Sequence, residues 1–355
     1  KILTTLLSLA GLEFPEDILC RSEYELANSL KCSEERIQHL KSKAASDVYP
    51  WKEKYKCASD LFEVTDKPEH ISLGDATLDR VLGGGILTRG ITEVVGQSSS
   101  GKTQLLLQLL LRVQLPRTSG GLNGEAVYIY SEGKLPTNRL QQIITSYTNN
   151  YPDLVDADKA WNSVYTIQLQ TTDAQHTILA YQLPVMLEKH PNIRLVVIDS
   201  IAALYRGEHY DLDDSGRLSI AAEVCDLGIR LKRLADQHNI AVVVANQVTD
   251  DFSLSNAQAQ SLDDLKKKHW KWTSAPMFSS ITNDCELDIG AFSESLSKRP
   301  ALGLTWANSI NCRIRLARSS LAEEKTRRVL FLEFASNTER KGAYIEINDH
   351  GIRSI

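Results

Sequence analysis

The sequence predicts an α/β protein with a mostly parallel central sheet covered by helices on both faces. Short apolar runs rich in β-branched residues recur at 91–95, 126–130, 194–200 and 240–247. Helical stretches separate each run from the next, which is the order of elements in a parallel sheet with crossover helices. The length of 355 residues suits one large domain of this class with a small accessory domain.

Composition and charge narrow the class of protein. The chain is 42% hydrophobic and 24% charged, as ordinary globular proteins are, and its formal net charge is −5. Contact with nucleic acid therefore has to rest on local basic patches. No apolar run is long enough to cross a bilayer, and the first fourteen residues are too poorly flanked for a signal peptide. The six scattered cysteines predict free thiols in a reducing compartment, the cytosol or nucleus.

Residues 1–48 predict a small helical domain. The segments EDILC, EYELANSL and EERIQHLKSKAAS are amphipathic, and Ser33 is placed to cap the last of them. Residues 49–70 contain two prolines and mixed charge, which is typical of a linker.

The main domain is expected over residues 71–355. A short helix at 75–82 ends in three glycines, and the strand at 91–95 leads through a loop into the helix TQLLLQLLLRVQL, which is apolar on nearly every side and so predicted to be buried. Residues 249–299 form a polar segment so long that it is expected to be functional or disordered. The stretches ALGLTWANSINCRIRLAR, RVLFLEFA and AYIEINDHGIRSI then predict three or four antiparallel closing strands.

A phosphate-binding loop follows the strand at 91–95. Eight residues match the pattern G-x-x-x-x-G-K-[ST]: Gly96, Gln97, Ser98, Ser99, Ser100, Gly101, Lys102 and Thr103. Glycines let backbone N–H groups point into a concavity that holds phosphate oxygens, and the following helix adds its dipole. Lys102 is expected to reach the β- and γ-phosphates of ATP, and Thr103 to bind Mg²⁺.

Polar side chains end three of the predicted strands. Asp199 is placed like the carboxylate that holds magnesium in such proteins, although an Asp there can also cap a helix. Glu132 lies at the same sheet edge, where a carboxylate can polarise the attacking water. Gln247 could sense the γ-phosphate and signal to the long segment after it. Glu132 as a surface acid and Gln247 as a loop-capping amide remain alternatives.

A basic and aromatic run lies within the long segment. Its members are Lys266, Lys267, Lys268, Trp270, Lys271 and Trp272. This composition suits single-stranded nucleic acid through phosphate neutralisation and base stacking. Two aspartates precede it, so a solvated charge run or a segment that docks a partner protein is equally compatible.

In order along the chain, several stretches resemble the eukaryotic RecA-family recombinases. They are GGGILTRGITEVVGQSSSGKTQLLLQL, QLPRTSGGLNGEAVYIYSEG, LVVIDSIAALYR, LKRLADQHNIAVVVANQV and PALGLTWANSINCRIRL. The branch they are most similar to is that of the recombinase paralogues, which act as recombination mediators without forming filaments themselves. GKTQ and TWAN are similar to the fungal subunit of a mediator heterodimer and to its animal counterpart. The resemblance covers residues 71–355 and implies a RecA-like P-loop ATPase core.

The resemblance also implies roles for individual residues. Glu132 would be the catalytic glutamate, Gln247 the γ-phosphate sensor, and Arg139 the residue whose guanidinium stacks on adenine. From the residues alone, Arg139 reads as a solvent-facing helix arginine. Tyr55 and Ala58 are similar to the family's aromatic-x-x-Ala motif, which inserts an aromatic side chain into a neighbouring subunit. A plain linker remains an alternative there.

Three departures from the family bear on function. The turn at residues 30–33 reads LKCS where a DNA-binding helical hairpin requires glycine, which argues against DNA binding by the N-terminal domain. The stretch FLEFASNTERKG lacks the proline of the family's cap over a neighbour's ATP, which argues against a homopolymer. The stretch RGEHYDLDDSGR is acidic, so only Arg217 is expected to meet a phosphate there.

These observations predict an ATP-binding subunit of a paralogue complex in the nucleus. It would assist homologous recombination and double-strand break repair by promoting or stabilising filaments of the main recombinase on single-stranded DNA. Its partner would be another RecA-like paralogue, and its enzymatic activity a weak DNA-dependent ATPase. The alternatives are a structural adaptor, in which ATP stabilises an interface without turnover, and an active strand-exchange recombinase.

Overall fold

The computed structural model describes residues 12, 14–49, 67–203, 205, 214–249, 279–280, 289–292, 295–296, 298–319 and 326–355. The chain divides into two compact units, Lys1–Lys67 and Pro68–Ile355. None of the helices among these residues is both long and apolar enough to cross a membrane.

The first unit contains the helices α1 (Pro15–Cys20), α2 (Glu23–Leu30) and α3 (Glu34–Val48). Ser22 caps α2, because its hydroxyl accepts a hydrogen bond from the backbone N–H of Glu25. Ser33 stands at the N-cap position of α3 as predicted, but its side chain makes no capping bond. Lys31 adopts the left-handed conformation, with φ 50°, so the turn before α3 forms without the glycine that favours it.

The second unit is built on one large sheet. Its strands are β3 Gly90–Gly96, β4 Glu125–Tyr130, β5 Val164–Gln168, β6 Ile193–Asp199, β7 Ala241–Thr249, β8 Ser279–Ser280, β9 Arg299–Pro300, β10 Cys312–Arg318, β11 Arg328–Ala335, β12 Lys341–Asn348 and β13 Gly351–Ser354. Its strands lie in the order β13-β12-β11-β10-β3-β7-β6-β4-β5, with β8 paired to β12 and β9 to β7. The pairs from β5 to β10 are parallel, whereas β10 to β13 pair antiparallel. A separate antiparallel pair consists of β1 (His70–Ile71) and β2 (Ile86–Leu87).

Helices cover both faces of this sheet, which confirms the predicted fold class. Their bounds are α4 Ala76–Val81, α5 Lys102–Arg112, α6 Thr137–Asn150, α7 Ala157–Asn162, α8 Thr172–Thr177, α9 Leu183–Lys189, α10 Asp214–Gln237 and α11 Gly303–Ala307. A π-helical turn at Ile178–Gln182 joins α8 to α9, and 3₁₀ turns occupy Arg117–Ser119 and Ile289–Phe292.

Alternation along the strands separates two hydrophobic cores. Val243 and Ala245 of β7 face the core that contains the leucines of α5, whereas Val242 and Val244 face the core that contains α10 and Trp306. Every residue of α5 from Leu105 to Arg112 is buried, as predicted. The burial of α5 in one of these cores therefore fixes the helix and, with it, the loop that precedes it.

Two details differ from the sequence-based expectation. The edge strand β5 was not predicted, because its alternating half-exposed residues resemble a loop more than a buried strand. The segment before β10 was predicted as part of a strand, but residues Gly303–Ala307 form the helix α11, whose Trp306 is buried against α10. The four strands β10 to β13 confirm the antiparallel end of the sheet.

A buried acid lies at the centre of the second unit. The Glu93 carboxylate is fully buried and accepts hydrogen bonds from Asn246 Nδ2 at 2.7 Å, from Trp306 Nε1 at 2.8 Å and from Arg313 Nε. Asn246 also donates to the carbonyl of Ala301 at 2.9 Å. Three donors, from β7, α11 and β10, thereby converge on one buried carboxylate of β3. The bond from Asn246 to Ala301 ties the far end of the long segment to β7.

We expect Glu93→Ala to lower the free energy of unfolding of the second unit by about 3–5 kcal/mol, because it leaves the Arg313 guanidinium buried without its main partner. Denaturant unfolding followed by tryptophan fluorescence measures the change. Asp226→Ala, which breaks the exposed pair with Arg230, is the control and should leave the midpoint unchanged. Equal effects of the two substitutions would contradict this account.

Candidate functional site

The carboxyl ends of the parallel strands enclose one large cavity. It has a volume of about 860 Å³ and an open mouth beside the loop that joins β3 to α5. Nine residues singled out from the sequence line it: Ser98, Ser99, Gly101, Lys102, Thr103, Glu132, Arg139, Asp199 and Gln247. They come from several elements that converge because parallel strands end at the same edge of a sheet.

The loop between β3 and α5 depends on its glycines. A Cβ atom at Gly96 would lie 2.3 Å from the Leu316 carbonyl oxygen, so no other residue fits there. Gly101 and Ser99 have φ values of 113° and 62°, in the left-handed region. The resulting curve leads straight into the first turn of α5, whose free backbone N–H groups favour an anion. This cradle fits the phosphate groups expected from the motif.

Lys102 is folded back over the loop. Its Nζ donates hydrogen bonds to the carbonyl oxygens of Gly96 at 2.7 Å and Gln97 at 3.0 Å. The ammonium group thus stays at the rim of the cradle, with its charge solvated by main-chain oxygens.

A carboxylate and two hydroxyls meet at the end of β6. Asp199 Oδ2 accepts hydrogen bonds from Thr103 Oγ1 at 3.0 Å and from the Tyr128 hydroxyl at 2.8 Å. Burial, with the Asp199 charge beside it, raises the pKa of Tyr128 far above its ordinary value, so that the hydroxyl keeps its proton and remains a donor.

The same group of oxygens fits a hard cation. Mg²⁺ is commonly bound by one or two carboxylates together with substrate phosphates and water, and Thr103 and Asp199 supply a hydroxyl and a carboxylate. In the described part of the chain, no three His, Cys, Asp or Glu side chains are placed so that they could hold a metal ion together. A cation here would therefore take the rest of its ligands from the oxygens of a bound phosphate and from water.

Glu132 and Gln247 contact each other across the mouth. Gln247 Nε2 donates to Glu132 Oε2 at 2.8 Å. Glu132 follows β4 and Gln247 lies in β7, and β6 lies between these two strands in the sheet. The bond therefore crosses the end of β6.

Arg139 also lines the cavity. Its Nε donates to Gln104 Oε1 at 2.7 Å, and one terminal nitrogen donates to the Asn348 carbonyl at 2.5 Å. The guanidinium is thereby tied to the end of β12, half-buried and within the lining of the cavity.

Further residues of the cavity were not found from the sequence. The lining also includes Gln104, Arg328, Ile347, Asn348 and Asp349. Gln104 directly follows the phosphate-loop motif and could have been noticed. The other four come from the last strands and the turn between β12 and β13, more than 200 residues further along the chain. Only the sheet order brings them to the loop.

Some predicted site residues cannot be placed. Tyr55 and Ala58, and the basic run from Lys266 to Trp272, lie outside the described residues. Arg217 belongs to α10, but its side chain is outside the described part.

Comparison with known proteins gives consistent results. A profile of the Rad51 family matches residues 67–268. The DNA repair protein rhp57 of Schizosaccharomyces pombe is 32% identical over 352 residues, which are 95% of this chain and 92% of that protein. The DNA repair protein RAD57 of Saccharomyces cerevisiae is 37% identical over 57% of this chain and 44% of its own length. The DNA repair protein XRCC3 of Mus musculus is 32% identical over 82% of this chain and 76% of its own length.

Proposed function

This chain belongs to the Rad51 family, and on that premise we propose that it binds ATP with Mg²⁺ and assists DNA repair by homologous recombination. It would act in the nucleus as one subunit of a complex with another RecA-like chain, promoting or stabilising recombinase filaments on single-stranded DNA. The names of its relatives, all DNA repair proteins, support this role. The observation that carries the nucleotide site is the convergence of Lys102, Thr103, Asp199 and Glu132 on one cavity.

Each residue of the cavity would have its own part in binding. Lys102 would exchange its bonds to the loop carbonyls for bonds to the β- and γ-phosphates. Thr103 and Asp199 would hold Mg²⁺, with Tyr128 keeping the carboxylate in place. Arg139, already bonded to the end of β12, would stack on the adenine ring.

The bond between Glu132 and Gln247 suggests how nucleotide state could be reported. Bound ATP supplies a γ-phosphate whose transfer to water is the reaction of this class of site. Glu132 would orient and deprotonate that water, provided that Gln247 first releases its carboxylate. Because Gln247 is joined through its backbone to Ala301 at the end of the long segment, its movement would pass to that segment. We propose a weak ATPase on these grounds.

A second role for the site is that of a structural adaptor. In the described geometry the Glu132 carboxylate is engaged by Gln247 and the Lys102 ammonium by carbonyl oxygens. Such a site can bind ATP and stabilise an interface without turning it over. The two roles differ in whether Glu132 is needed after ATP has bound.

We expect Lys102→Ala to weaken binding of Mg·ATP by at least about tenfold, the value of a charged hydrogen bond. Isothermal titration of the purified chain measures this. Lys232→Ala, an exposed lysine of α10, is the control and should bind as the wild type does. Equal affinity of the two variants would exclude the assigned role of Lys102.

We expect Glu132→Gln to lower the rate of ATP hydrolysis by about 100-fold or more while ATP still binds, since loss of a general base has effects of that size. Phosphate release measured beside nucleotide affinity separates the two properties. If this variant supports recombinase filament assembly as well as the wild type does, the adaptor role is correct and obligatory turnover is wrong.

We expect Tyr55→Ala to abolish co-purification of a RecA-like partner from nuclear extract, because the removed aromatic ring would be the anchor of the tether. Affinity capture followed by mass spectrometry measures the loss. Tyr24→Ala removes an exposed ring of α2, 77% accessible, and should leave the partner bound. A partner retained by both variants would dismiss the tether.

A further inference from the structure

Two arginines face each other at the edge of the sheet that carries the nucleotide site. Arg318 ends β10 and Arg328 begins β11, and the two are direct partners in the antiparallel ladder. Side chains at directly opposed positions project to the same face of a sheet, with Cβ atoms about 5 Å apart. Two positively charged side chains therefore leave the same face of the sheet from neighbouring positions.

Neither Nε atom of this pair is satisfied. Both are buried, and neither has a hydrogen-bond partner among the described residues. Like charges directly opposite each other on a sheet are destabilising, and a buried donor without a partner adds the cost of its lost hydration. An anion between or beside the two guanidinium groups would remove both costs.

The alternation of the strands places the pair on the face of the phosphate loop. Leu316 and Leu330, two residues along from each arginine, pack in the core that contains α5. Ala317 and Val329 belong to a cluster on the opposite face. Leu316 is also the residue whose carbonyl lies against Gly96. The two arginines therefore project from the same face of the sheet as Leu316 and Leu330, next to the phosphate loop.

The cavity reaches this pair at Arg328, which is part of its lining. In the strand order, β10 and β11 lie on one side of β3, whereas β7, β6 and β4, with Gln247, Asp199 and Glu132, lie on the other. The nucleotide cradle is therefore flanked by acids and an amide on one side and by cations on the other.

We propose that Arg328, with Arg318 beside it, binds the phosphate groups of the nucleotide from the side opposite Gln247. This inference rests on the proposed nucleotide binding. Because the water-activating residue and the sensor occupy the side where the γ-phosphate is expected, the arginines contact the α- and β-phosphates, which ATP and ADP share. The fold thus supplies from its own closing strands a positive charge that the phosphate-loop motif does not contain.

Nucleotide titration of Arg328→Gln and Arg318→Gln tests the assignment. Arg328→Gln weakens Mg·ATP and Mg·ADP by similar factors, about tenfold, the value of a hydrogen bond between charged groups. Arg318→Gln, outside the lining, weakens both to a smaller extent. Arg233→Gln, on the exposed surface of α10, is the control and binds as the wild type does. Without nucleotide, Arg328→Gln melts at the same temperature as the wild type or higher, because repulsion with Arg318 is relieved.

Three results would overturn the inference. Unchanged affinities for both nucleotides would remove Arg328 from the site. Loss of affinity for ATP alone would contradict contact with the shared phosphates. A lower melting temperature without nucleotide would assign the arginine a structural role. A wild-type chain that binds neither nucleotide would refute the proposed function itself. If Lys102→Ala loses affinity for nucleotide while Arg328→Gln keeps the affinity of the wild type, only this inference is refuted.

Discussion

The conformation of the loop between β3 and α5 is the constraint on which the rest of the site depends. Gly96 has no room for a side chain against the Leu316 carbonyl, and Gly101 has a left-handed φ of 113°. The neighbours that impose this are themselves fixed, since β3 lies between β7 and β10 and α5 is buried along most of its length. Because the packing of β3 and α5 holds the loop in this conformation, the backbone amides of the loop point toward a bound anion.

A second set of contacts connects this loop to the rest of the second unit. The buried Glu93 carboxylate of β3 binds Asn246, which directly precedes Gln247, and Asn246 in turn binds the Ala301 carbonyl. The backbone of Ala301 donates to the Gln247 carbonyl. One polar network therefore connects β3, which precedes the phosphate loop, with Gln247 and with the end of the long segment. A shift at any one of these places is resisted by the other two.

The sequence predicts those parts of the fold that are set locally. Runs such as RLVVIDS and IAVVVANQ are apolar on both faces, which only a central parallel strand requires, and the motif at 96–103 fixes loop and helix together. The edge strand β5 escaped prediction because its residues are exposed or half-buried and do not form a continuous apolar run. Tyr128, Arg328 and Asn348 escaped because their place at the site follows from strand register and order, which no local pattern records.

The central claim is that this cradle holds the phosphates of ATP, with Mg²⁺ between them and Asp199. A crystal structure of the chain grown with Mg²⁺ and a non-hydrolysable ATP analogue tests it most directly. The account predicts density for the analogue across the loop, with Lys102 Nζ moved from the carbonyls of Gly96 and Gln97 onto phosphate oxygens. A loop without the analogue at saturating concentration, with Lys102 still folded back on those carbonyls, would contradict it.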